Sequence, residues 1–236
     1  WWPYFKYFNT YKARLATLLQ NADMYTDIAL LTPIPDLWTR YGVQTEPFPG
    51  PGPLAVPYTS LVWEAIHKHG GCDYPSEIVL GDSTVKNGKL CYGPKQYGTL
   101  FLVGIEGIEP ATLEKLHTFV QQGGRIFCIE RYPSKSLGFV DYERREREVR
   151  DWVEKLKGYP ERFILLERPE GDDFYAWYPA MCEKYRIPHY LGFSSPDRYL
   201  MQNRYRTDDG TEILFFAYAN RREPHRTEVR VGPEVA

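Results

Sequence analysis

The chain has 236 residues, of which 43% are hydrophobic and 25% charged, so it can bury a core in one or two domains and does not have the composition of a disordered protein. Its net charge of -2 gives no electrostatic attraction to nucleic acid or acidic membranes, and no nucleic-acid partner is predicted. No apolar run approaches the ~20 residues of a membrane span. The sequence begins WWPYFKYF and ends GPEVA, and we interpret it as a segment of a longer protein, from which the compartment cannot be predicted.

The first part of the chain predicts a helix, a strand, a short helix and, after a loop, a further helix. Residues 4–22 predict a helix, because Tyr, Phe and Leu recur there at helical spacing and form one apolar stripe. The run YTDIALLTP predicts a buried strand that ends at Thr32, and a short helix is predicted from Asp36. Proline and glycine predict a loop over residues 47–57. The run YTSLVWEAIHKHGG then predicts a helix that ends at Gly70.

The middle of the chain predicts a hairpin and a strand–helix–strand unit. SEIVLG is interpreted as a strand, and Asn87-Gly88 as the two-residue turn of a hairpin. Strands are predicted over Thr99–Val103 and Arg125–Ile129. Between them, a helix over 110–122 begins with a proline and ends at a Gly-Gly pair.

Beyond this unit the pattern changes. A charged helix with a narrow apolar stripe is predicted from Asp141, and ERFILLE is a strand candidate. DDFYAWYPAMCEKY predicts a helix interrupted at Pro179. From His189 onward the alternation of apolar and polar residues predicts antiparallel strands, with TDDGT as a turn.

Short connections between strands and helices predict an α/β fold. We expect a three-layer αβα domain with a mainly parallel sheet over residues 1–167. A helical connector over 168–192 and a partial antiparallel β region over 193–236, the start of a β-sandwich-like region, complete the predicted organisation.

Ligands of an open parallel sheet bind beyond the carboxyl ends of its strands. Asp36, Glu106, Glu130 and Arg131 all follow predicted strand ends, so they are the candidate residues of a strand-end crevice. A pair of glutamates there could perform acid–base chemistry on a glycosidic bond. The alternative is that the two glutamates are rim residues paired with Arg131 or Arg125.

Cys128 is a candidate nucleophile or a core residue. A catalytic cysteine or serine of the α/β hydrolases lies on a tight strand-to-helix turn between small residues. Cys128 instead lies within a predicted strand, between Phe127 and Ile129, and the turn GIEGIEP contains no cysteine or serine. The pattern favours a buried, inert thiol. A stand-alone amidotransferase-like or esterase-like hydrolase that uses Cys128 remains the alternative.

Aromatic residues are abundant, at 16% of the chain. Trp38 and Trp177 are candidates for stacking on sugar rings, with ordinary packing as the alternative. No metal site is predicted, because no CxxC pair occurs and His67 and His69 lie on roughly opposite faces of a helix. No cofactor is predicted, because the sequence contains neither a Walker pattern nor GxGxxG.

Several strings together resemble the central part of large α-L-rhamnosidase-like glycoside hydrolases (family 106 and relatives): YKARLATLLQNADMYTDIALLTP, DLW, CDYPSEIVL, the run from NGKLCYG to SLG, and RYRTDDGTEILFFAYANRREPHRTEVRV. The resemblance implies a flavodoxin-like or glutamine-amidotransferase-like α/β domain beside a catalytic barrel. The catalytic carboxylates of such enzymes lie on the barrel, which is not found in this sequence, so the catalytic residues stay unknown.

The resemblance therefore implies a non-catalytic accessory domain that buttresses the barrel and lines the substrate cleft or mediates assembly. The implied partners are the rest of the parent glycosidase, carbohydrate, and a second copy in a homo-oligomer. A carbohydrate-binding or oligomerisation module is a further alternative.

Overall fold

The computed structural model describes residues 1–40, 55–169, 176–188 and 190–232. A 3-10 turn, Trp2–Tyr4, precedes the first helix. The helices are α1 (Phe5–Leu19), α2 (Ile34–Arg40), α3 (Ala55–His67), α4 (Glu77–Asp82), α5 (Pro110–Gln121), α6 (Tyr142–Lys157) and α7 (Trp177–Tyr185). The strands are β1 (Ala22–Met24), β2 (Ile28–Leu31), β3 (Thr84–Lys86), β4 (Lys89–Tyr92), β5 (Lys95–Tyr97), β6 (Thr99–Val103), β7 (Arg125–Ile129), β8 (Phe163–Leu166), β9 (Leu191–Phe193), β10 (Leu200–Thr207), β11 (Glu212–Tyr218) and β12 (Val229–Val231).

A parallel sheet with strand order β2-β6-β7-β8 forms the centre of the fold. Because successive side chains of a strand point to opposite faces, β6 contributes to two cores. Leu100 and Leu102 pack with residues of α5 and α6 on one face. Phe101 and Val103 pack with residues of α3 and α7 on the other. Helices thus cover both faces of the sheet, and the predicted α/β class with a parallel sheet is confirmed.

The strand–helix–strand unit over residues 99–129 is confirmed. Its helix, α5, ends in a Schellman motif, in which Gly123 adopts a φ of +114°. The amide of Gly123 donates to the carbonyl of Val120 at 3.1 Å, and the amide of Gly124 donates to the carbonyl of Phe119 at 2.9 Å. These hydrogen bonds satisfy carbonyls that have no partner within the helix, because they lie in its last turn.

The hairpin at Asn87-Gly88 is also confirmed. Asn87 and Gly88 have φ values of 50° and 71°, as a two-residue turn of type I′ requires. The turn joins β3 to β4, and β5 extends the pair into a three-stranded antiparallel sheet.

The prediction that SEIVLG forms a strand is wrong, because this run forms α4. The side chain of Ser76 accepts a hydrogen bond from the amide of Val79 at 3.3 Å and caps the helix. Leu80 is the buried side chain of α4. A run of a few apolar residues has no decisive periodicity, so the cap determined the outcome.

Two predicted boundaries shift, and one predicted helix interruption does not occur. The short helix predicted from Asp36 begins at Ile34. The predicted loop 47–57 ends earlier, because α3 begins at Ala55, and most of that loop lies outside the described residues. The predicted interruption at Pro179 is wrong, because this proline is the third residue of α7, within the first turn, where no intrahelical bond requires its N–H.

The predicted antiparallel region consists of two sheets, β1-β10-β11 and β9-β12. Strand β1 was not predicted, and it pairs with β10 across the predicted domain division. Polar contacts join this region to the parallel sheet. The ammonium of Lys68 donates to the carbonyls of Asp197 at 2.9 Å and Arg198 at 2.7 Å. The hydroxyl of Tyr190 donates to the carboxylate of Asp27 at 2.9 Å. His189, at which the predicted antiparallel region begins, lies outside the described residues.

Helix α1 is confirmed, but most of its apolar stripe is exposed, and Leu15 and Leu19 of the stripe are partly buried. Its main contacts are with the preceding 3-10 turn and with β1. None of the helices in the described ranges has the length and apolar character that crossing a bilayer requires.

Candidate functional site

The carboxyl ends of β2, β6 and β7 lie side by side, because these strands are neighbours in one parallel sheet. The four predicted crevice residues, Asp36, Glu106, Glu130 and Arg131, follow these ends, so their common position at one edge of the sheet follows from the topology. Their side chains have different partners.

Asp36, on α2, is 9% exposed and binds the loop that follows β6. Its carboxylate accepts hydrogen bonds from the amides of Glu106 and Gly107, each at 2.9 Å. A Cβ atom at position 107 would lie 3.0 Å from a carboxylate oxygen of Asp36 and 2.8 Å from a methyl carbon of Leu137, so this close approach favours glycine. We infer from these contacts that Asp36 positions the loop.

Glu106 connects the same loop to the segment after β7. Its carboxylate forms an ion pair with the ammonium of Lys135 at 3.0 Å. Its carbonyl accepts from the amides of Ser134 at 2.9 Å and Lys135 at 3.0 Å. The partner is thus a lysine, whereas an arginine was predicted.

Glu130 has a strained backbone, with a φ of 78° directly after the last residue of β7. Left-handed conformations are uncommon for residues other than glycine, and such outliers cluster at functional sites. A Cβ atom at Gly104 would lie 3.8 Å from the Glu130 carboxylate, so this carboxylate lies beside the end of β6. Glu130 forms an ion pair with Arg131, as the rim alternative predicts. Arg125, the other predicted partner, donates to the carbonyl of Tyr185 at 2.6 Å.

Substitution of Glu130 separates backbone strain from side-chain function. We expect Glu130→Gly to be more stable than Glu130→Ala by about 1 kcal/mol, because both lose the carboxylate but only alanine retains the left-handed penalty. Urea unfolding of the two variants measures this difference. Equal midpoints would show that the φ value carries no cost.

Tyr58 and Arg168 add an aromatic and a cationic group near Glu130. The Arg168 guanidinium lies 4.2 Å from the ring centroid of Tyr58. Burial raises the pKa of the Tyr58 hydroxyl, Arg168 lowers it and Glu130 raises it further. The sequence did not indicate either residue, since an isolated tyrosine at a helix start and an isolated arginine after a strand form no motif.

An apolar crevice of about 610 Å³ lies beyond the ends of β2 and β6. Trp38, which is 74% exposed, lines it together with Tyr74, Ile78 and Leu137. In its wall, the Glu77 carboxylate accepts from the amide of Glu109 at 2.7 Å, at the start of α5. Burial raises the pKa of Glu77, and the Glu109 amide lowers it. With this carboxylate bonded to the backbone, the crevice is suited to apolar groups.

Trp177 lines a different crevice, of about 660 Å³, along β8 and α7. Arg168, Lys184 and Tyr185 contribute to it, so its lining is partly charged. The two predicted stacking tryptophans are therefore not parts of one site, and sugar binding at either stays a prediction.

Cys128 is fully buried in the core on the α5 and α6 face of the sheet. Burial raises the pKa of its thiol, which disfavours the reactive thiolate. All four cysteines are free. The predicted core position is confirmed.

We expect iodoacetamide to leave Cys128 unmodified in the folded chain, because the thiol is both inaccessible and protonated. Cys91 is partly exposed and serves as the internal control that should react. Peptide mass spectrometry of native and urea-unfolded samples measures both sites. Native modification of Cys128 at the rate of Cys91 would contradict the core assignment and favour the thiol hydrolase.

Within the described ranges, no group of three or more His, Cys, Asp or Glu residues is arranged to hold a metal ion. At the carboxyl ends of the strands, the structure places a glutamate with a strained backbone, Glu130, near Arg131, Arg168 and Tyr58. Two separate crevices each contain a tryptophan.

No family model matches the chain. A protein of Formosa agariphila described as "Putative beta-glucuronidase" is 27% identical over 181 residues, which cover 75% of this chain and 14% of that protein. A solved rhamnosidase from Novosphingobium sp. PP1Y superposes with a TM-score of 0.52 at 16% identity, over 86% of this chain and 18% of that one. The chain is thus similar in sequence to part of one larger protein and in fold to part of another, both described as glycosidases.

Proposed function

We propose that the chain is a non-catalytic α/β region of a larger glycoside hydrolase, which supports the catalytic barrel, lines the substrate cleft or takes part in assembly. The observation that carries this proposal is that both similarities span most of this chain but only 14% and 18% of the relatives. A flavodoxin-like or amidotransferase-like subtype, related to family 106, is part of the proposal.

The geometry of the strand-end edge supports the proposal. Asp36 binds two backbone amides, Glu106 pairs with Lys135, and Glu130 pairs with Arg131. These contacts are consistent with structural roles for the three carboxylates, whereas a glycosidase acid or nucleophile must reach the substrate oxygen or anomeric carbon.

Activity assays test the proposal. The isolated chain should turn over neither an aryl α-L-rhamnoside nor an aryl β-D-glucuronide, whereas the protein encoded by the full open reading frame should turn over a glycoside. In that protein, Glu106→Gln and Glu130→Gln should retain activity, because neither residue is catalytic. A loss of kcat of about a hundredfold or more in either variant, with the fold intact, would contradict the proposal.

The crevice beside Trp177 favours a second candidate function, carbohydrate binding, since it combines an indole with Arg168 and Lys184. Titration of the chain with neutral and uronate oligosaccharides tests this function. Binding that Trp177→Ala abolishes and Trp152→Ala retains would support it, because Trp152 packs beside α5 and outside the crevice.

A further inference from the structure

Helix α1 carries a concentrated exposed apolar surface. The side chains of Tyr4, at the N-cap, and of Tyr7, Phe8, Tyr11 and Leu18, within the helix, are together called the α1 face, and each is at least 53% exposed. They fall at helical spacing, so they form one stripe along the helix. Contiguous exposed apolar surface of this kind marks an interaction site.

Among the described residues, the main contacts of helix α1 are with the preceding 3-10 turn and with β1, so little of the described chain supports the helix. A 15-residue helix without tertiary packing is only marginally stable in water. A partner on the α1 face would therefore both remove apolar surface from water and stabilise the helix.

Charge restricts the kind of partner. Residues 1–22 include Lys6, Lys12 and Arg14 and no Asp or Glu. A second copy seated on the same face would bring like charges together. The ammonium of Lys12 lies 5.3 Å from the ring centroid of Phe8, which places a cation against the α1 face itself. A complementary protein surface thus has an apolar groove with carboxylates beside it.

We propose that the α1 face docks into an acid-edged apolar groove on the remaining part of the parent glycosidase. This inference rests on the proposed function, and it names the surface through which the accessory region joins the rest of the enzyme. The similar proteins extend far beyond the matched region, which is 14% of one and 18% of the other, so a protein of this kind has ample additional surface to supply the groove.

Hydrogen exchange at the amides of α1, followed by mass spectrometry, tests the docking. In the isolated chain these amides should exchange rapidly, and in the protein encoded by the full open reading frame they should exchange at least about tenfold more slowly. The double variant Phe8→Asp/Tyr11→Asp should restore rapid exchange in the long protein. Because both side chains are more than half exposed, the thermal midpoint of the isolated chain should not change.

A matched control is available at exposed positions of α1 that lie outside the α1 face. Thr10→Asp/Thr17→Asp introduces the same two charges at exposed positions and should leave α1 protected in the long protein. Equal loss of protection in both double variants would overturn the docking, because the effect would then depend on charge and not on the α1 face.

Other outcomes distinguish other partners. Rapid α1 exchange in the long protein overturns the docking. Concentration-dependent protection of the isolated chain, with dimers in sedimentation, overturns it in favour of a second copy. Protection of the isolated chain by phosphatidylglycerol vesicles, without protection in the long protein, overturns it in favour of a membrane surface.

Glycoside turnover tests the proposed function, and hydrogen exchange in α1 tests the proposed docking, so the two proposals can fail separately. Glycoside turnover by the long protein with unprotected α1 overturns the docking alone. Protected α1 in a long protein without turnover supports the docking and overturns the glycosidase assignment.

Discussion

Gly124→Ala is expected to destabilise the chain by about 3 kcal/mol, because the added methyl group would overlap the ring of Phe119. Phe119 is fully buried in the core against the sheet, so its ring cannot move without displacing other side chains. The backbone at Gly124 is also held, since its amide donates to the Phe119 carbonyl as part of the Schellman motif. Urea unfolding measures the loss.

Gly81→Ala is the matched control for this substitution. Gly81 lies within α4, and a Cβ atom there would meet no atom within 4 Å. Alanine is the better helix former, so this variant should gain about 0.5–1 kcal/mol. If both alanine variants unfold at the same urea concentration, the predicted clash with Phe119 is wrong.

Asp36→Asn is expected to cost about 2 kcal/mol, because the two carboxylate oxygens of Asp36 accept from two different backbone amides. The amide side chain retains one acceptor oxygen and turns a donor toward the second N–H group. The loop between β6 and α5 would then lose one of its bonds to α2. The free energy of unfolding measures the cost, and hydrogen exchange at Glu106 and Gly107 locates it.

Asp82→Asn makes the same chemical change at an exposed position at the end of α4 and should alter stability by no more than about 0.5 kcal/mol. The Asp36 variant should also show a larger increase in exchange at positions 106 and 107 than within α5. A stability loss without faster exchange there would contradict the proposed role of Asp36 in holding the loop.

The elements that sequence predicted best are those with strong local signals. The Asn87-Gly88 turn, the Gly123-Gly124 helix end and the apolar runs of β6 and β7 each combine a conformational requirement with a matching pattern. The misassigned run SEIVLG has neither periodicity nor length, and a single cap at Ser76 decides its conformation. Strand β1 has three residues, and its pairing partner β10 lies far along the chain, so no local signal could indicate it.

For the candidate site, too, the sequence predicted what depends on local signals and missed what depends on distant contacts. Sequence placed Asp36, Glu106, Glu130 and Arg131 at one edge of the sheet, because strand ends follow from apolar runs and parallel strands end together. Their partners depend on segments distant in the chain, such as Asp36 with Gly107. The strained φ of Glu130 also depends on tertiary contacts, because no local pattern requires a left-handed glutamate.

By itself the sequence determined the α/β class, the central strand–helix–strand unit, the hairpin and the core position of Cys128, because burial and backbone conformation there depend on residues close in the chain. Only the tertiary structure decided that the strand-end carboxylates bind amides and neighbouring cations, that Trp38 and Trp177 line separate crevices, and that the apolar stripe of α1 faces outward. A helical apolar pattern shows that a face favours burial. Whether that face is covered depends on what packs against it, and the part of the chain that the structure describes leaves the α1 face exposed.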